Sequence, residues 1–113
     1  MFADLTSYGL DEKILQRGDG TSIYITQDLG TTLRKFKQNH LDRSIWVVAN
    51  EQEYHFKVLF SLLDLLGYKE MTKQCYHLSY GYITLPTGRM KSREGTVVDA
   101  DELISSLETL AFE

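Results

Sequence analysis

The chain has 113 residues, of which 42% are hydrophobic and 25% charged, and its formal net charge is −4. This length points to one core rather than several modules, the composition excludes a disordered chain, and the acidic balance excludes a freestanding nucleic-acid binder with a basic face. The single cysteine, Cys75, excludes an internal disulfide and a thiolate zinc cluster and suits a reducing cytoplasmic setting, while no apolar run reaches the roughly 20 residues that span a bilayer.

From Met1 to Lys13 periodicity is weak, and Gly9, Asp11 and Glu12 read as loop leading into the short apolar pair Ile14 and Leu15. The stretch RGDGTSIYIT, Arg17 to Thr26, sets a Gly-Asp-Gly turn before the β-rich run Ser22, Ile23, Tyr24, Ile25 and Thr26, which predicts a hairpin. After Asp28, the residues Leu29, Leu33 and Phe36 recur at helical spacing and predict a short amphipathic helix. SIWVVA, Ser44 to Ala49, is a continuous apolar run and predicts a central strand buried on both faces. From Tyr54 to Leu66 the apolar positions Phe56, Leu59, Phe60, Leu62, Leu63 and Leu66 follow a helical period, with Gly67 where a helix ends. Cys75 to Leu85 alternates aromatic and polar residues as a strand does, before Pro86, Thr87 and Gly88 break it. Asp99, Asp101 and Glu102 suit the positive end of a closing helix through Leu103, Ile104, Leu107 and Leu110. Strand, helix, strand, loop and helix in this order predict an α/β layer sandwich on a parallel sheet, because a helical crossover is the natural link between parallel strands.

In open α/β sheets ligands lie beyond the carboxyl ends of the strands, which draws attention to Asn50 through His55 after the apolar strand. Gln52 offers an amide donor and a carbonyl acceptor, and His55 on the first helical turn is placed to approach a phosphate or a base. Glu51, Gln52 and Glu53 equally suit a purely structural role at a helix N-terminus, and spacing does not choose between the two. Tyr24 and Asp28, four residues apart, set a phenol and a carboxylate that can converge on a guanidinium, whose rigid fork of five donors is matched by a bidentate carboxylate. The structural alternative makes Asp28 a helix cap and Tyr24 a core strand residue. GRMKSREGTVV, Gly88 to Val98, carries Arg89, Lys91 and Arg93 in a Gly-bounded loop that can close over a triphosphate and stabilise developing charge, or can simply be a solvated basic loop. No phosphate-cradling GxxxxGK[ST] or GxGxxG occurs, and His40, His55 and His77 lack metal-ligand spacing. His77 and Ser79 share a strand face with no orienting acid in sequence, so a nucleophile and base pair is not expected there.

Three blocks in order resemble class I aminoacyl-tRNA synthetases, and specifically the arginyl-tRNA synthetase family, over nearly the whole chain. DGTSIYITQDLG from Asp19 to Gly30 is similar to the family's DGTSxYxTRD block. VVANEQEYHFKVLFSLLDLLGY from Val47 to Tyr68 is similar to its V-G-x-E-Q-x-x-H-F block, and GRMKSREGTVV to the KMSKS signature shared across the class. The resemblance implies a Rossmann-like three-layer sandwich with a parallel sheet, residues 1–113 forming part of the C-terminal half of a catalytic domain with its signature loop at 88–98. It implies arginine held by Tyr24, Asp28 and Gln52. It implies ATP met by His55, Gly81, Tyr82 and Met90, with the strand through Ser79 and Tyr80 approaching adenine through its backbone. Lys91 and Arg93 would be the catalytic cations of the signature loop. ATP with magnesium, the tRNA, and the remainder of a synthetase chain are the implied partners, with no membrane and a cytoplasmic location.

Two departures stand beside these matches. Glu94 occupies a position where the family often has lysine, which leaves open which cation of the loop carries the charge. The upstream HIGH motif of the class is absent from this sequence, so the expectation is an isolated chain that cannot form the adenylate at an enzyme-like rate, because both halves must enclose one triphosphate. The alternative is a noncatalytic synthetase-like module that binds a protein partner or an adenine nucleotide.

Overall fold

The computed structural model describes residues 1–82, 84, 85, 88, 89 and 99–112. Two units divide the chain, Met1–Gly81 and Tyr82–Glu113.

The opening residues, expected as loop, are ordered because two of them feed the core: Ala3 and Leu5 are buried. Strand β1 (Phe2–Ala3) pairs antiparallel with β2 (Lys13–Ile14), and a 3-10 turn at Thr6–Tyr8 lies between them. The Tyr8 hydroxyl donates to Asp64 Oδ2 at 2.6 Å, a bond that raises the pKa of the phenol and tethers this segment to a later helix.

The predicted hairpin is only half realised. The Gly-Asp-Gly turn forms, closed by Arg17 N–H to Thr21 O and Gly20 N–H to Arg17 O, and an isolated antiparallel bridge joins Gln16 and Ser22. The chain then turns helical, and α1 runs Tyr24–Asn39, so the expected β-run ends at Ile23 and the expected helix starts earlier than Asp28. Helix wins over the β propensity of Tyr24, Ile25 and Thr26 because the helical turn buries Ile25 beside Leu29 in the core, and tertiary packing overrides weak local preference. Asp28 is therefore the fifth residue of a helix and not its cap.

The next elements follow the sequence closely. Strand β3 (Ser44–Ala49) leads through a 3-10 turn at Asn50–Gln52 into α2 (Glu53–Leu65), and a short α3 (Lys69–Lys73) precedes β4 (Cys75–Tyr80). Strands β3 and β4 are parallel and in register from Ser44 opposite Cys75 to Ala49 opposite Tyr80, with α2 as the crossover. Gly67 ends α2 at φ +94°, with its own N–H on Asp64 O and the Tyr68 N–H on Leu63 O. This pair of bonds needs a left-handed residue that glycine adopts without steric cost.

The core lies between α2 and its neighbours: Phe56, Val58, Leu59, Leu62 and Leu63 of α2 are buried, and Leu5, Ile25, Trp46 and Val48 pack in the same region. Trp46, Phe56 and Phe60 form a ring cluster with centroids 5.6–5.9 Å apart. His77 is absorbed into this cluster, stacked on Phe56 at 4.3 Å with its Nε2 bonded to Val48 O at 2.8 Å, which accounts for it without catalysis.

The expectation that β3 is buried on both faces is corrected. Residues 44, 46 and 48 face inward, whereas Ile45 and Val47 are exposed together with Tyr76, Leu78 and Tyr80 of β4. One helix layer covers one face of a two-stranded sheet, and alternation leaves the other face open. The fold is thus mixed α/β with a parallel strand pair.

In the second unit, β5 (Thr84–Leu85) pairs antiparallel with β6 (Gly88–Arg89), so the expected single strand from Cys75 to Leu85 is two, interrupted after Tyr80. Helix α4 (Ala100–Phe112) starts where the acidic cluster predicted, with Asp99 Oδ1 accepting the Asp101 N–H at 2.8 Å. Among the described residues no helix is long and apolar enough to cross a membrane.

Candidate functional site

The carboxyl end of β3 and the first turns of α1 and α2 build the site. Helix periodicity sets Tyr24 and Asp28, four residues apart, on one face of α1. His55 stands on the first turn of α2, where the backbone has just left the sheet. The two helices meet there: His55 Nε2 lies 2.6 Å from Asp28 Oδ2. Facing an ionised carboxylate, which only accepts, the ring nitrogen is the donor of this contact.

Beside this pair lies an open cavity of about 370 Å³, in the lower part of the size range for small-molecule sites, roughly 300–1,000 Å³. Ile23, Tyr24 and Ile25 form one wall, and Glu51, Tyr54, His55 and Val58 form the other. Lys13 closes an edge, its ammonium 4.5 Å above the Tyr54 ring. The floor is apolar and the rim carries phenols, a carboxylate, an imidazole and an amine, a pattern suited to a polar, chain-like ligand. Asp28 keeps half of its side chain in solvent, 51%, so it retains room to accept further donors.

The sequence expectations meet this geometry unevenly. Tyr24 lines the cavity, and Asp28 and His55 are brought together at its margin. Gln52 is exposed and immediately precedes α2, next to the wall residue Glu51, but is not itself among the lining residues. Gly81 and Tyr82 are exposed, and a Cβ on Gly81 would meet nothing within 4 Å. Met90, Lys91 and Arg93 lie outside the described residues, as does the rest of the signature loop from 90 to 98. Of the other lining residues, Lys13 falls in the weakly patterned opening segment, while Glu51 and Tyr54 lie within the stretch Asn50 to His55 that stands out after the apolar strand, with no individual role assigned to either.

A second cavity of about 340 Å³ lies between α2 and β4, lined by Glu53, Phe56, Lys57 and Phe60 on the helix and by Cys75, Tyr76, His77 and Ser79 on the strand. Burial pushes the Cys75 thiol up to about 11, with Lys35 opposing part of the shift, so the group is a protonated thiol and a poor nucleophile. Among the described residues no three His, Cys, Asp or Glu side chains converge to hold a metal ion.

A parallel strand pair joined by a helix, with a ligand-sized cavity at the carboxyl end of its first strand, follows the way open α/β sheets place their ligands. Residues 2–111 match the family described as tRNA synthetases class I (R), catalytic domain, and the chain belongs to that family. The arginine–tRNA ligase of Bacteroides fragilis is 56% identical to it over 113 residues, all of this chain and 19% of the relative. That of Treponema denticola is 55% identical over 112 residues, 99% of this chain and 19% of the relative. The arginine–tRNA ligase of Porphyromonas gingivalis is 56% identical over 113 residues, again 100% of this chain and 19% of the relative. The chain therefore spans about a fifth of the length of these curated relatives.

Proposed function

We propose that this chain is the arginine-holding part of a cytoplasmic arginine–tRNA ligase, whose complete catalytic domain is a Rossmann-like three-layer sandwich on a parallel sheet. The observation that carries the reading is the Asp28 carboxylate, bonded to His55 beside a cavity that Tyr24 lines. In this reading Asp28 accepts the guanidinium, the Tyr24 phenol and the apolar wall of Ile23 and Ile25 flank the substrate stem, and the Gln52 amide reaches the polar end of the amino acid.

The reaction has two steps. The arginine carboxylate attacks the α-phosphate of ATP, forming a mixed anhydride and releasing pyrophosphate; a ribose hydroxyl of the tRNA terminus then attacks the carbonyl carbon, forming the ester and releasing AMP. What this chain supplies is placement: holding the side chain of arginine fixes where its carboxylate stands, and that is a large share of the rate advantage of an oriented reaction. Gly81, Tyr82 and Met90 are assigned to the nucleotide, and Lys91 and Arg93 to charge that develops on the triphosphate. The described residues do not fit a protein-held magnesium, so the ion belongs with the triphosphate in this reading and no step is assigned to it. The HIGH motif and the tRNA-binding surfaces belong to the remainder of the synthetase, and the 113-residue chain by itself is assigned no ligation activity.

The test is charging of tRNA with labelled arginine by the complete synthetase that contains this segment. Arginine-dependent, ATP-dependent charging is the expected result. A protein that binds an adenine nucleotide yet charges no tRNA with arginine overturns the reading in favour of a noncatalytic module.

A further inference from the structure

We infer that His55 is a positioning residue for arginine selection, acting through Asp28 rather than on the nucleotide; the inference rests on reading this site as the arginine pocket. A carboxylate half in solvent rotates freely, and a planar guanidinium gains its two parallel hydrogen bonds only when the carboxylate plane is already turned toward it. His55 supplies that constraint. Its Nε2 is committed to Asp28 Oδ2 at 2.6 Å, which leaves Oδ1 and the remaining lone pair of Oδ2 for a ligand. The Asp28 backbone is fixed independently, its carbonyl accepting the Thr32 hydroxyl at 2.8 Å within α1.

The imidazole is itself held. Its ring stands edge-on to Phe56, 5.6 Å between centroids at 87°, and Phe56 is buried and stacked on His77. His77 in turn bonds Val48 O in the first strand of the parallel pair. A continuous series of packed groups therefore runs from the sheet to the carboxylate, and a shift of one ring at its end changes where Asp28 points. The Nε2 engagement also leaves His55 with only Nδ1 for any other partner, which sets it apart from a group poised over phosphate.

The experiment is steady-state charging by the complete synthetase with H55A, H55N and H55Q, measuring KM for arginine and for ATP separately. Loss of one hydrogen bond to a charged group raises KM for arginine about tenfold in H55A. KM for ATP stays within about twofold, because binding of the second substrate is a separate term. In H55Q the longer amide reaches the place of Nε2 and restores most of the arginine KM, whereas the shorter H55N does not. The Gln and Asn variants are both polar and keep the comparison informative if H55A fails to fold. A rise in KM for ATP alone, equal rises in both, or a Gln variant no better than Asn overturns the inference. In each of those results wild-type charging with arginine persists and the proposed function stands; wild-type protein that charges no arginine removes both.

Discussion

Asp28→Asn separates charge from shape at the proposed site. The amide has the volume of the carboxylate and keeps one oxygen to accept the His55 Nε2–H, so the 2.6 Å contact between α1 and α2 has a replacement and the fold loses little. What disappears is the negative charge. A hydrogen bond to a charged group contributes about 1.5–3 kcal/mol, and because the Asp28 side chain is 51% exposed the lower end applies, about 1.5 kcal/mol or tenfold in affinity. Citrulline provides the control, since it replaces the guanidinium by a neutral urea of nearly the same outline. Its carbonyl oxygen faces repulsion from a carboxylate and accepts from the new amide, so D28N weakens arginine and helps citrulline. The expected outcome is that the ratio of citrulline Ki to arginine KM, measured in tRNA charging by the complete synthetase, falls at least about tenfold. A folded variant with an unchanged ratio would refute the placement of a cation beside Asp28.

Two further predictions concern the chain itself. Leu59 is fully buried in α2, and Leu59→Ala should cost about 2–5 kcal/mol by opening a cavity, whereas Val47→Ala on the open sheet face should stay within about 0.5 kcal/mol; urea unfolding midpoints test the contrast, and equal losses would contradict the location of the core. Cys75 is pushed from 9.0 to about 11 chiefly by burial, so the folded chain holds the thiol proton more tightly than the unfolded chain does. That contribution to stability is whole below pH 9 and is lost as pH rises toward 11. Iodoacetamide should accordingly label Cys75 more slowly in the folded protein than in urea, and the alkaline loss of stability should be smaller in Cys75→Ser; labelling at the unfolded rate would contradict the raised pKa of this half-buried thiol.

The sequence disclosed the elements whose periodicity is decided by their own burial. Helix α2 presents five buried residues at helical spacing, and its terminal Gly67 takes the left-handed conformation that its position implied. The run Ser44–Ala49 was readable as a strand because all of it after Ser44 is apolar, yet such a run states only that both faces are apolar. It does not state what covers them, and in this unit α2 covers one. The opening segment was illegible for the opposite reason: Ala3 and Leu5 are buried by residues far along the chain, and two isolated apolar positions make no period. Lys13 joins the cavity by the same long-range folding, so no local pattern marks it.

The β-run expected through Thr26 is helical from Tyr24 onward. In the continuous helix α1, Tyr24 and Asp28 share a face because one turn of 3.6 residues is close to their spacing of four, whereas the strand-to-helix junction expected between them fixes no common face. The partner of Asp28 is not local. His55 lies 27 residues later on a different helix, and its approach to the carboxylate depends on how α1 packs against α2 over Ile25, Leu29, Val58 and Leu59. Local spacing thus relates Tyr24 to Asp28, whereas the contact between Asp28 and His55 is set by tertiary packing. Residues that act through others are the ones a single sequence hides best, since the chemistry of such a residue is legible only once its partner is known.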